Sequence, residues 1–92
     1  RVPSAEHMNR PLKAVQLNWN PVVYAEKYEV QISKSADFAS PLTRFSAGPE
    51  IKTLPVQIGE NYYRIRPLNE QGRAIGPYSS PQVLKYDRVV QL

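Results

Sequence analysis

The sequence predicts an all-β domain, a sandwich or small barrel of short strands. Three observations carry this. Nine prolines and only four glycines are spread evenly along the 92 residues, and a proline costs about 3 kcal/mol inside a helix, so long helices do not fit. Apolar residues recur at every second position in several short windows, the period of a strand with one wet and one buried face. Turn signals separate those windows about every 8–12 residues, the spacing of small all-β folds.

The elements follow in order. Residues 1–12, with Pro3 and Pro11, are expected to hold a weak first strand and a connection. Val15, Leu17 and Trp19 alternate with Gln16 and Asn18. Trp19 is therefore a core residue and not an exposed ring for stacking on sugars. Tyr28, Val30 and Ile32 repeat the pattern around Glu29 and Gln31, which outvotes a helix over residues 25–34. Phe38 and then residues 42–45 form a short edge strand interrupted by Ser40-Pro41, a position where a residue without an N–H is tolerated. Ile51, Leu54 and Val56 make a poorly alternating strand ended by Pro55 and Gly59. Tyr63 and Ile65 alternate with Arg64 and Arg66, and residues 82–86 form a last strand after the Gly76-Pro77 turn. Residues 87–92 read as linker, leaving 13–86 as the domain core.

Composition excludes several classes of function. Cysteine is absent, so no disulfide, thiol nucleophile or Cys-zinc site exists. The longest unbroken apolar run is Val22-Val23-Tyr24-Ala25, far short of the roughly 20 residues of a membrane helix, and no membrane insertion is expected. His7 is the single histidine and stands in the poorly patterned N-terminal segment, where a solvated side chain is expected. Zinc needs three or four clustered ligands and calcium an acid-rich loop. The aspartates, Asp37 and Asp87, are far apart. The glycines form no phosphate-binding loop, and a small sandwich offers no cleft for facing carboxylates. No catalysis and no cofactor are expected. Twelve basic against eight acidic side chains give +4, too modest an excess to predict nucleic-acid binding.

The motifs in sequence resemble those of a fibronectin type III domain. Val15-Gln16-Leu17-Asn18-Trp19-Asn20-Pro21 is similar to that family's second strand, with its core Trp and a Pro shortly after. Ala25-Glu26-Lys27-Tyr28-Glu29-Val30-Gln31-Ile32-Ser33 resembles the third strand. Tyr62-Tyr63-Arg64-Ile65-Arg66-Pro67-Leu68-Asn69-Glu70-Gln71-Gly72 resembles the sixth strand and the turn after it. Gly76-Pro77-Tyr78-Ser79-Ser80-Pro81 is similar to the approach to the last strand. Tyr-Glu-Val-Gln-Ile-Ser, the Asp-Phe that follows and Tyr-Tyr-Arg-Ile-Arg look most like the bacterial branch, often found in multi-domain surface and envelope proteins. The likeness covers residues 13–85. It implies a seven-stranded antiparallel β-sandwich of immunoglobulin-like architecture. One position departs: the family's corner tyrosine falls on Asn61, with Tyr62 and Tyr63 each out of step. Either a neighbouring tyrosine is recruited through a bulge, or the corner lacks the bond.

The resemblance further implies a non-catalytic spacer or protein-interaction module, an internal piece of a longer extracytoplasmic protein, and Pro41 on the edge strand argues for a monomer. Its partners would be neighbouring domains or another protein. Two surfaces are candidates. Alternation places Arg64 and Arg66 outward with Tyr62 beside them, next to the strand bearing Glu29 and Gln31. That face either takes an acidic polymer such as an anionic glycan, or pairs an arginine with Glu29 and spreads the arginine stems over apolar surface. The other surface is the loop of residues 69–77, which carries Arg73 and Ile75 but no Arg-Gly-Asp tripeptide. Ile75 either caps the core or anchors a neighbour, and Tyr24 stands at the same end with the same two roles open.

Overall fold

Six strands and no helix make up the residues described by the computed structural model, 12–86. They form two antiparallel sheets, a β-sandwich arrangement. β1 (Leu12–Asn18) pairs with β4 (Glu50–Gln57), and β3 (Leu42–Ser46), β2 (Lys27–Ser33), β5 (Gly59–Leu68) and β6 (Gln82–Tyr86) lie side by side in that order. The expected first strand, His7 and the expected linker lie outside the described residues.

The alternation sets the core. Val30 and Ile32 of β2 and Leu54 and Val56 of β4 are buried, and Val15, Leu17, Trp19, Ile51, Tyr63, Ile65, Leu84 and Tyr86 pack against them from both sheets. Each of the four buried aliphatic side chains contributes about 1.5–3 kcal/mol by leaving water, and the partly buried ones less. Trp19 meets Tyr28 edge-to-face, with ring centroids 5.3 Å apart. The irregular pattern of β4 has a cause in the pairing. Val15 stands opposite Leu54 and Leu17 opposite Ile51, so β4 spends three residues where β1 spends two. This bulge returns Ile51 to the core face. Of the two residues expected to end this strand, Pro55 and Gly59, Pro55 lies within it and Gly59 beyond it. An edge strand can leave one side of its backbone unpaired, so it accepts a proline.

Two further expectations are corrected. Phe38 does not belong to the edge strand, which begins at Leu42. It sits in the preceding loop at φ 57° and is buried. Ser35 and Asp37 shape that loop: Asp37 accepts from the Ser35 hydroxyl at 2.7 Å and the Ala39 N–H at 3.2 Å. Both hydrogen bonds favour the charged carboxylate and hold Asp37 below its ordinary range. At the corner where β4 turns into β5, two alternatives stood open, a recruited tyrosine or no bond, and Asn61 near the start of β5 ties the corner itself. It accepts from the Gln57 N–H at 3.1 Å, and its amide nitrogen reaches the carbonyls of Gln57, Gly59 and Leu84 at 2.9, 3.1 and 3.2 Å. No neighbouring tyrosine is recruited.

Candidate functional site

The outer face of the four-stranded sheet is built by register. Glu29 stands opposite Arg66 and Gln31 opposite Arg64 across β2 and β5. All four side chains start outward because Val30, Ile32 and Ile65, which alternate with them, pack in the core. Arg66 donates from Nε and Nη2 to the same oxygen of Glu29, both at 2.9 Å. The other Glu29 oxygen accepts from the Tyr78 hydroxyl. Arg64 donates from Nε and Nη2 to the Gln31 side-chain oxygen at 2.9 and 2.7 Å. With these partners Glu29 is only 8% exposed although it lies on an outward face.

Tyr78 joins this face through the segment that runs beside the second half of β5. The Ser79 N–H donates to the Ile65 carbonyl at 2.7 Å, and the Ser79 hydroxyl accepts from the Ile65 N–H at 3.0 Å. Pro77 and Pro81 keep the segment from becoming a regular strand, and the serine hydroxyl stands in for a ladder carbonyl. Gly76 sits close against Pro67 at the start of it, and a Cβ there would come within 3.1 Å of the proline ring, which would have to shift by a few tenths of an ångström. The Tyr78 ring then lies 4.0 Å from the Arg64 guanidinium and 4.5 Å from that of Arg66, and Arg64 also lies 4.2 Å from the Phe38 ring. Burial, the Glu29 hydrogen bond and the Glu29 charge raise the Tyr78 hydroxyl above the ordinary phenol range, against the pull of both arginines.

Of the residues singled out from sequence, Arg64 and Arg66 are thus brought together. Tyr62 is not in their stack. It is turned to Glu60, whose carboxylate accepts from its hydroxyl at 3.0 Å and raises its ionisation. Phe38 and Tyr78 were missed as members of the face. No local sequence pattern marks Tyr78, because its place is set by the hydrogen bonds between Ser79 and Ile65, 14 residues away.

Tyr24, Arg73 and Ile75 stand at another place, the end where β2 begins and β5 finishes. The Glu26 N–H donates to the Leu68 carbonyl and the Ile75 N–H to that of Pro67, so both loops leave from one end. The 69–77 loop is a tight turn. Asn69 donates its N–H to the Arg73 carbonyl at 2.8 Å, and its side-chain oxygen accepts the Arg73 N–H at 2.9 Å. Ile75 is 44% exposed and Arg73 is exposed. In the facing loop Val22, Val23 and Tyr24 are exposed, Tyr24 to 86%, and Tyr24 holds φ 70°. Among the described residues no three His, Cys, Asp or Glu side chains gather where they would hold a metal ion. No family model, no curated protein and no solved structure matches the chain.

Proposed function

We propose that the chain is a non-catalytic interaction and spacer module of fibronectin type III kind within a longer extracytoplasmic protein, and that it meets its neighbours through the loop end bearing Tyr24 and Ile75. The strand order β3-β2-β5-β6 over β1-β4, with β2 and β5 paired although far apart in sequence, supports the family assignment. So does Trp19 packed on Tyr28.

The observation that carries the binding surface is Tyr24. A non-glycine residue at positive φ costs about 1 kcal/mol or more, and this one leaves its ring almost wholly in water. The positive φ closes the turn in which the Ala25 N–H donates to the Val22 carbonyl at 3.0 Å, but the exposure of the ring serves nothing in the isolated domain. That exposure makes sense if the ring, presented by the turn, is covered by a partner, with Val23 and Ile75 adding apolar area around it.

The test compares backbone amide shifts of residues 1–92 alone with those of the same residues in the longer chain. Changes gathered at residues 22–25 and 69–76, lost in Tyr24→Gly, are the expected result. Unchanged loop amides, or changes confined to the Arg64–Tyr78 face, would overturn the assignment of the loop end.

A further inference from the structure

We propose that a cleft at the opposite end of the sandwich binds a small amphipathic carboxylate, an anion with an aliphatic body. The cleft holds about 370 Å³, inside the usual range of roughly 300–1,000 Å³ for ligand pockets. It opens between the edge strand β3 and β4, where β2 and β4 end and β3 and β5 begin. Ile32, Leu42 and Pro55 give it an apolar wall, while Lys34, Arg44 and Gln57 bring donors.

The charges on this wall are one-sided. Arg44 stands opposite Val30 in the β2–β3 register, and Val30 is fully buried, so the arginine side chain starts on the inward face of the sheet. Its guanidinium donates to the Thr43 carbonyl at 3.1 Å, and a guanidinium carries five N–H donors. Lys34 reaches across to the turn between β4 and β5, donating to the Ile58 carbonyl at 2.6 Å. Gly59, at φ 100°, makes that reach possible, because a Cβ there would lie 3.0 Å from the lysine nitrogen. No Asp or Glu lines the cleft, and the salt bridge found among the described residues is Arg66–Glu29 on the outer face.

An inward charge on an edge strand discourages pairing with other chains, which accounts for Arg44 alone. It does not account for a second cation, fixed by a backbone carbonyl, at the same mouth beside apolar side chains. A carboxylate satisfies both cations, since the arginine fork matches its two oxygens and the lysine adds a point charge. The aliphatic body then covers Ile32, Leu42 and Pro55.

The experiment follows the amide shifts of the whole chain during titration with hexanoate, 1-hexanol or hexylammonium at constant ionic strength. Hexanoate should give saturable shifts at Leu42, Arg44 and Gln57, with an affinity about tenfold above that of hexanol. Hexylammonium should leave these amides in place. Arg44→Gln and Lys34→Gln should each bring hexanoate down towards the hexanol value while the spectrum stays dispersed. If the three probes shift the same amides equally, or hexanoate shifts do not saturate, the proposal is wrong. That contrast on the unaltered chain decides the matter even if a variant fails to fold. The loop end takes no part in it.

Discussion

Replacing Asn61 by alanine should remove one of the largest polar contributions to the fold. The side chain is 2% exposed. Its oxygen accepts one backbone N–H, and its nitrogen faces three carbonyls. An amide nitrogen has two hydrogens, so the donated bonds amount to two, one of them shared, and three bonds are lost in all. At about 1 kcal/mol net for each, Asn61→Ala should cost about 3 kcal/mol, with water recovering part of it at the Gln57–Gly59 turn. For a domain of this size that is a fall in melting temperature of roughly 10–20 °C. Urea unfolding followed by the fluorescence of the single tryptophan measures it, with the midpoint falling at an unchanged slope. Asn61→Asp sharpens the test, because it keeps the shape but sets a carboxylate against three carbonyls, and it should cost more than alanine. A loss below about 0.5 kcal/mol for Asn61→Ala, or an aspartate milder than alanine, would refute the corner as described.

Trp19→Ala should cost about 3 kcal/mol, the low end for large aromatic truncations, because the ring is only half-buried against Tyr28; an unchanged melting temperature would sink the sandwich core as built. Tyr78 ionises later folded than unfolded, so its contribution to stability is complete below about pH 10 and is lost as pH rises through the higher folded value. The absorbance difference at alkaline pH between the unaltered chain and Tyr78→Phe isolates this one phenol, and a midpoint at or below that of free tyrosine would contradict its contact with Glu29. Tyr24→Gly should leave stability unchanged or raise it by up to about 1 kcal/mol, as relief of strain outweighs the added freedom of the unfolded chain; a clear loss in urea unfolding would mean the ring supports the domain itself.

What the sequence made legible and what it hid follow from the range of the forces involved. Tyr28, Val30 and Ile32 announce β2 because alternation is local and its cause, one buried face, acts on every second residue. β4 was harder because its bulge opposite Val15 and Leu17 is a property of the pair, so Ile51, Leu54 and Val56 look irregular when read alone. Phe38 was placed in a strand because it is apolar and near one. Its real position depends on Ser35, Asp37 and a positive φ that folds the loop over Arg64. Asn61 was recognised as standing at the corner, yet its role was not read, since an asparagine in sequence does not tell which carbonyls surround it. The pairing of Arg66 with Glu29 was one of two open alternatives. The ring of Tyr78 between the arginines depends on the Ser79–Ile65 bonds, which no local pattern encodes.

The two outer surfaces differ in what a partner must undo. On the Tyr–Arg face an incoming anion competes with Glu29 for Arg66, and removing the arginine would strand a carboxylate that is 8% exposed. Leaving a buried charge without its partner costs about 3–5 kcal/mol, less here because Arg66 retains solvent contact on one side. Arg64 is held by Gln31 and two rings in the same way, so the face works best as a stiff wall joining β2, β5 and the 75–80 segment. At the loop end nothing has to be broken. Val23, Tyr24 and Ile75 already stand in water, where covering apolar area yields about 25 cal/mol per Å², and the turn closed by Asn69 and Arg73 holds Ile75's loop in place beforehand. A surface that gains by being covered and loses nothing in the process is the one that the proposed spacer role would use to meet a neighbour.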